Sequence, residues 1–204
     1  KMEILSGLMR LRQICDTPAL FMEDYHGESG KLESLLELLE QIQTGSHRVL
    51  IFSQFRGMLD IIEKELKKMK METFKITGST PAKDRQEMTN AFNNGEGDAF
   101  LISLKAGGVG LNLTGADTVI LVDLWWNPAV ESQAIGRAHR MGQERNVEVY
   151  RLITRGTIEE KIQELQESKR HLVSTILDGT ESRSSLTVAE IREILGISPE
   201  TLEK

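Results

Sequence analysis

Five short apolar segments recur along this chain, and stretches with helical periodicity separate most of them. Segments that are apolar throughout are typical of strands buried on both faces of a parallel sheet, and their alternation with helices indicates an α/β fold. In such a sheet, ligands bind at the carboxyl ends of the strands. We therefore predict a parallel sheet with helices on both faces and a site on the loops that follow the strands. The predicted strands are 48–55, 71–78, 98–104, 117–124 and 146–154, and the predicted helices among them are 56–70, 81–93, 128–142 and 157–177.

Helices are also predicted at both ends of this core. An apolar stripe at helical spacing runs through residues 2–15 and ends at Asp16-Thr17-Pro18, because proline disfavours helix in the residue before it. A second amphipathic helix follows over residues 32–42, and Gly45 ends it. Residues 179–185 are typical of a linker, and 186–196 indicate a short final helix.

Composition limits the classes of partner and cofactor. The 204 residues carry a net charge of -6, which argues against binding nucleic acid over the whole surface, so any DNA-binding surface must be local. One cysteine excludes an internal disulfide, and the four histidines lie too far apart for a zinc motif, so we predict no metal site. No apolar run is long enough to cross a membrane. The chain opens at Lys1 directly into a helix with no initiator Met, so we expect it to be part of a longer protein.

The stretch QAIGRAHRMGQ, residues 133–143, carries the strongest chemical signal. On a helix, Gln133, Arg137 and Arg140 would project from one face, since they are spaced by four and three residues. Two guanidinium groups and an amide suit a polyphosphate and can offset charge on a phosphoryl group in transfer. Spacing alone does not distinguish this from a solvated basic helix face.

The stretch SLKAGGVGLNLTGAD, residues 103–117, follows a predicted strand and contains three closely spaced glycines. Glycines there allow backbone amides to approach a phosphate or ribose. The dinucleotide-binding pattern fails, because Leu113 stands where its third glycine is required. An ordinary tight turn explains the glycines equally well.

The pair Gly30-Lys31 imitates a phosphate loop but does not satisfy its pattern. Tyr25 stands in place of the first glycine, and Leu32 stands in place of the serine or threonine. The chain therefore offers arginines that suit phosphate without a loop to cradle it, which fits one half of an ATPase site.

These segments, in this order, resemble the C-terminal helicase lobe of Swi/Snf-type superfamily 2 DNA translocases. The matching stretches are RVLIFSQF, KITGSTPAKDRQEMTNAF, LISLKAGGVGLNLTGADTVILVDLWWNP and QAIGRAHRMGQ, and LRQICDTP resembles the family's lead-in from the first lobe. The resemblance implies a RecA-like lobe of the P-loop NTPase type, with ATP and Mg²⁺ bound between two lobes and the magnesium ligands in the absent first lobe. It divides the chain into a lead-in helix and connector (1–28), the RecA-like lobe (29–178), and a linker with a short helix (179–204).

The resemblance also implies roles for single residues. Arg137 and Arg140 would be arginine fingers, and Gln133 would lie near the γ-phosphate. Lys105, Gly108 and Gly110 would belong to a loop that senses nucleotide and DNA together. The residues implied to contact DNA are Ser53, Gln54, Thr77, Gly78, Ser79, Thr80, Lys105, Asn112 and Trp126.

Trp126 has a structural alternative to its assigned role, and Asp123, close to it in sequence, also has a structural explanation. Trp126 would reach the DNA groove, but a tryptophan in the core or at the lobe interface is a strong competitor. Asp123 lies at a strand end, where its carboxylate could equally cap the turn before Trp125.

The leading hypothesis is the second motor lobe of an ATP-dependent double-stranded-DNA translocase or remodeller, inactive as an ATPase alone. Its partners would be the first lobe of the same chain, duplex DNA and, in some systems, a protein bound to that DNA. We expect it in the nucleoid-associated cytoplasm of a prokaryote or in the nucleus of a eukaryote. The alternative is a non-catalytic module, derived from a helicase lobe, that docks on DNA or protein.

Overall fold

The sheet has five strands, all parallel, in the order β2-β3-β1-β4-β5. The computed structural model describes residues 2–104, 110–139, 143–175 and 187–196. Each strand lies within one of the predicted apolar segments, so the predicted parallel α/β fold is confirmed. The strands are β1 Val49–Ser53, β2 Thr73–Ile76, β3 Ala99–Ser103, β4 Thr118–Leu121 and β5 Glu148–Arg151.

Seven α-helices and one 3-10 turn surround the sheet in the described part of the chain. Their bounds are α1 Met2–Asp16, the 3-10 turn Pro18–Leu20, α2 Gly30–Thr44, α3 Arg56–Lys68, α4 Ala82–Asn93, α5 Pro128–Ile135, α6 Ile158–Thr175 and α7 Val188–Leu195. As predicted, Gly45 is the C-cap of α2. No helix among the described residues is long and apolar enough to cross a membrane.

Both faces of the sheet are covered, which explains why the central strands are mostly apolar and buried at every position. On one face Leu39 of α2 and Leu59 of α3 share a buried cluster with Ile51 of β1, and on the other Phe92 of α4 shares a second cluster with Phe52. Burying one such side chain is worth about 1.5–3 kcal/mol. With strands covered on both sides, the polar groups available for a ligand lie on the loops.

A third cluster lies beyond the carboxyl end of β4, at Leu124. Leu8 of α1, Ile162 of α6 and Ile191 of α7 are buried there together. The lead-in helix, the long helix and the final helix therefore share one core. The division of the chain at residues 28 and 178 stays a prediction.

The predicted single helix over 128–142 is wrong. Helix α5 ends at Ile135 with Gly136 as its C-cap, and residues 136–139 form turns. The amides of Arg137 and Ala138 bond to the carbonyls three residues before them, and the Arg137 carbonyl accepts from the Leu113 amide at 2.9 Å. A loop thus takes the hydrogen bond that a continuing helix would have used.

Candidate nucleotide and nucleic-acid interface

The loop after β1 is tied to the loop after β4 by hydrogen bonds inside the protein. Ser53 and Gln54 are 0% and 5% exposed. The Ser53 hydroxyl donates to the Asp123 carboxylate, the Gln54 amide nitrogen donates to Asp123 Oδ1 at 2.9 Å, and Gln54 Nε2 donates to the Leu124 carbonyl at 2.7 Å. Asp123 thus joins two strand ends. The DNA contacts predicted for Ser53 and Gln54 stay predictions, since the hydrogen bonds observed for both are internal.

Beside these hydrogen bonds lies a buried charge cluster made of Arg12, Asp16, Lys31, Asp123 and Glu159. Lys31 Nζ donates to Asp16 Oδ1 at 2.9 Å, to Glu159 Oε2 at 2.6 Å and to the Val122 carbonyl at 2.8 Å. The side chains of Lys31, Asp16 and Glu159 are 2%, 0% and 1% exposed. The lysine of the imitation phosphate loop is therefore a structural cation that joins α2 to α1 and α6.

The cluster holds three carboxyl groups and two cations in the protein interior, and the pKa values of Asp16, Lys31 and Arg12 are shifted there. Burial and the neighbouring Asp123 raise the pKa of Asp16 well above the ordinary range of an aspartate. Burial lowers the pKa of Lys31, but Asp16 and Glu159 outweigh it, so the pKa of Lys31 is raised. Burial lowers the pKa of Arg12 despite the nearby carboxylates, and an arginine stays charged all the same. Within the cluster, the pKa values of Asp16 and Lys31 are therefore both raised.

The raised pKa of Asp16 predicts a pH dependence of stability. A group whose pKa is higher in the folded state stabilises the fold at acid pH, and this contribution is lost as pH rises through the folded pKa. Relative to Asp16→Asn, which cannot titrate, the wild-type free energy of unfolding should fall as pH rises, by at most about 1.4 kcal/mol per pH unit. Urea denaturation of both proteins over a pH series measures this difference. The prediction would be contradicted if the free energies of unfolding of the two proteins changed in parallel with pH, or if the wild type gained stability over Asp16→Asn as pH rose.

The loop after β2 carries exposed polar groups on a fixed backbone. Thr80 Oγ1 accepts from the Thr77 amide at 3.0 Å, and the hydroxyls of Thr77 and Ser79 lie 3.0 Å apart. Arg85 of α4 donates to the carbonyls of Thr80, Gly78 and Thr77 at 2.7, 3.1 and 3.3 Å. Because Arg85 occupies the carbonyls, the loop presents Gly78 and Ser79 to solvent, which suits a phosphate backbone.

The loop after β3 is described only in part. Lys105 and Gly108, two predicted members of its sensing segment, lie outside the described residues, whereas Gly110 and Asn112 are exposed. Leu111 and Leu113 on either side of Asn112 are buried in the core, so the alternation turns the Asn112 side chain outward.

The arginine segment, residues 133–143, follows helix α5 and its C-cap. Gln133 is exposed, whereas Arg137 is only 4% exposed, and Arg140 lies outside the described residues. The premise that all three share one helix face is therefore wrong for Gln133 and Arg137, because α5 ends between them. The nucleotide contacts predicted for the three residues stay predictions.

The two tryptophans lie in one loop held by α1 and α6. The Arg12 guanidinium lies 4.5 Å from the Trp126 ring centroid and also donates to the Leu124 carbonyl. From α6, Gln166 donates to the Trp125 carbonyl. Trp126 is partly exposed and packs against the third cluster, with no hydrogen-bond partner for its indole nitrogen among the described residues. The contact predicted between Trp126 and DNA stays a prediction.

Sequence reasoning missed Arg12, Arg85 and Glu131 as residues that shape the site. Arg12 had a signal, since it follows Leu8 by four residues on the buried stripe of α1. Glu131 is 1% exposed and accepts from Gln166 Nε2 at 2.7 Å and from Arg151 at 2.8 Å. No local pattern predicts those partners. The described residues contain no cluster of side chains suited to a metal ion.

Comparison with known families and proteins places these features in context. The family model described as the helicase conserved C-terminal domain matches residues 30–142. The Bacillus subtilis protein YwqA, whose name describes it as a putative ATP-dependent helicase/translocase, is 43% identical over 201 residues, covering 96% of this chain and 22% of that protein. The mouse SWI/SNF-related matrix-associated actin-dependent regulator of chromatin subfamily A member 1 is 44% identical over 190 residues, covering 87% of this chain and 18% of that protein.

A solved structure matches the same architecture. The Sulfolobus solfataricus SWI2/SNF2 ATPase core in complex with double-stranded DNA has a TM-score of 0.73 and 36% sequence identity, and the match covers 94% of this chain and 41% of that one. The chain thus spans about a fifth of these curated relatives, at 22% and 18% of their lengths.

Proposed function

Since this chain belongs to the helicase conserved C-terminal domain family and is a RecA-like lobe of the SWI/SNF type, we propose that it is the second motor lobe of an ATP-dependent double-stranded-DNA translocase. Closure of the cleft between the two lobes brings Gln133, Arg137 and Arg140 to the γ-phosphate. Reopening after hydrolysis moves the lobes along DNA. The first lobe supplies the phosphate loop and the magnesium ligands. The protein would be located with its DNA, in the nucleoid of a prokaryote or the nucleus of a eukaryote.

The observation that carries this proposal is that the Lys31 ammonium is buried and fully hydrogen-bonded inside the protein. Within the described residues, Lys31 is the lysine that most resembles a phosphate-loop lysine, and its ammonium already donates to two carboxylates and a carbonyl. The three N–H donors of its ammonium are thus matched by three acceptors inside the protein, so Lys31 does not offer a donor to a bound nucleotide. This supports a lobe that contributes arginines to a nucleotide held by another lobe.

For DNA, the proposed surface is the exposed part of the loops after β2 and β3. Gly78, Ser79 and Asn112 offer amides and small polar side chains that hydrogen-bond phosphates without adding net charge. This mode of binding fits a chain with a net charge of -6. We expect recognition of duplex geometry rather than of base sequence.

The test is the ATPase rate of the full-length parent protein and of this chain alone, each with and without duplex DNA. We expect strong stimulation of the parent by DNA and no turnover by the isolated chain. A parent whose rate does not respond to DNA would remove the translocase assignment and favour the non-catalytic docking module. Substantial activity of the isolated chain would contradict the half-site.

A further inference from the structure

The segment 112–116, which we call the junction, is clamped from α4. Asn93 Nδ2 donates to the Asn112 carbonyl at 2.7 Å, and Asn93 Oδ1 accepts from the Gly115 amide at 3.0 Å. One side chain thus fixes both ends of a short loop. The junction leads from the glycine-rich loop after β3 into β4.

The junction has no room for a side chain at Gly115, where α4 and Arg48 lie close to the backbone. A Cβ atom on Gly115 would lie 2.8 Å from the Phe92 carbonyl oxygen and 2.9 Å from Arg48 Nη1, so only glycine fits without displacing the backbone. Arg48 Nη1 donates to the Gly115 carbonyl at 2.9 Å, and the guanidinium lies 3.9 Å from the Phe92 ring centroid. The junction therefore moves only together with its surroundings.

Its other side is bonded to the arginine segment through Gln143. Gln143 Nε2 donates to the carbonyls of Thr114 at 3.1 Å, Ala116 at 2.7 Å and Ala138 at 3.1 Å. The first two carbonyls belong to the junction, and the third follows Arg137. Gln143 Oε1 accepts from the Arg145 amide at 3.0 Å, so both ends of the side-chain amide are used.

A backbone hydrogen bond makes the same connection one residue away. The Leu113 amide donates to the Arg137 carbonyl at 2.9 Å. The junction and the arginine segment are therefore held together at Leu113 and again at Gln143.

We propose that Gln143 is a positioning residue that holds the arginine segment against the junction, so that Arg137 and the junction move as one unit. This inference rests on the proposed function, because it concerns the geometry of the arginines in ATP hydrolysis. Gln143 acts through backbone carbonyls and does not touch the nucleotide. Displacing a catalytic group by about 1 Å can cost on the order of a hundredfold in rate, which sets the scale of the effect.

The test is Gln143→Leu in the full-length parent protein, with Gln86→Leu as the matched control. Gln86 is exposed on α4 and bonds only to Asn90 in the described structure, at 2.9 Å. For Gln143→Leu we expect kcat of DNA-stimulated hydrolysis to fall about ten- to a hundredfold, with KM for ATP changed by less than about twofold, since ground-state binding is retained. Gln143→Glu keeps the oxygen that accepts from the Arg145 amide, but it replaces the donating nitrogen with a second oxygen. That oxygen would face three carbonyl oxygens and repel them, so kcat should fall at least as far as in Gln143→Leu.

A second readout, in the same full-length parent protein, needs no ATPase activity. Hydrogen exchange of the Leu113 amide should speed up in Gln143→Leu and stay as in the wild type in Gln86→Leu, under conditions where all three proteins are folded. Unchanged exchange together with unchanged kcat overturns the inference, and so does a rise in KM at constant kcat. If exchange speeds up while Arg137→Ala and Arg140→Ala both keep full turnover, the link between the segments stands and the proposed function fails instead.

Discussion

Replacing Arg137 or Arg140 with alanine in the full-length parent protein is expected to lower DNA-stimulated ATP hydrolysis by about a thousandfold or more. An arginine that meets the transferring phosphoryl group offsets charge that develops in the transition state, and its loss costs on the order of 10³ or more in rate. The measurement is the steady-state ATPase rate at saturating duplex DNA. Because the two arginines would act on one transition state, the double variant should be little slower than either single variant.

Controls must separate catalysis from folding, because Arg137 is 4% exposed and its removal also disturbs packing. Arg192→Ala is the matched control, since Arg192 is exposed on α7. Circular dichroism of each variant checks that the lobe is folded. Wild-type turnover in either Arg137→Ala or Arg140→Ala would contradict the arginine-finger assignment.

The second large effect is expected for stability, from Lys31→Met. Removing one partner of a buried ion pair costs about 3–5 kcal/mol, because it leaves uncompensated charge in the interior. Here the methionine would strand Asp16 and Glu159 and remove the donor to the Val122 carbonyl. Urea denaturation measures the change in the free energy of unfolding.

An exposed lysine in a similar pair provides the control. Lys68 Nζ lies 2.6 Å from Glu65 Oε1, and the Lys68 side chain is 71% exposed. Exposed ion pairs of this kind contribute at most about 1 kcal/mol to the free energy of unfolding. Lys68→Met should therefore change stability by less than about 1 kcal/mol. A loss in Lys31→Met no larger than that in Lys68→Met would show that the cluster is not a stabilising unit.

A triple variant separates stranded charge from lost packing. Lys31→Met combined with Asp16→Asn and Glu159→Gln removes the cation and both of its carboxylate partners. Replacing a whole buried ionic group is often neutral, whereas breaking it is costly, so the triple variant should regain much of the stability lost in Lys31→Met. A triple variant less stable than Lys31→Met would assign the loss to packing instead.

The sheet was predictable from sequence because its signal is local. Strands buried on both faces are mostly apolar, and β1 and β3 each have four apolar residues in a row before a final serine. The C-cap of α2 was predictable for the same reason, since Gly45 directly follows the helix. Local patterns were enough to predict the fold.

The site was less predictable because its partners are far apart in sequence. Lys31 and Glu159 are 128 residues apart, and no local pattern links them. Helix α5 was predicted too long because helix-forming residues continue past Gly136, while the Leu113 amide that takes the Arg137 carbonyl comes from another loop. The sequence identified Gly30-Lys31 as an imitation of a phosphate loop, but the role of Lys31 as a buried cation required the tertiary structure.

The loop that carries Trp125 and Trp126 also provides an intrinsic fluorescence probe of this lobe. These are the two tryptophans of the chain, and their ring centroids lie 5.2 Å apart. Both rings lie within 6 Å of the Arg12 guanidinium, at 5.8 and 4.5 Å. Tryptophan emission from this lobe therefore arises at one place, where α1, α6 and the end of β4 meet, and a change in its wavelength or intensity reports a rearrangement there without any added label.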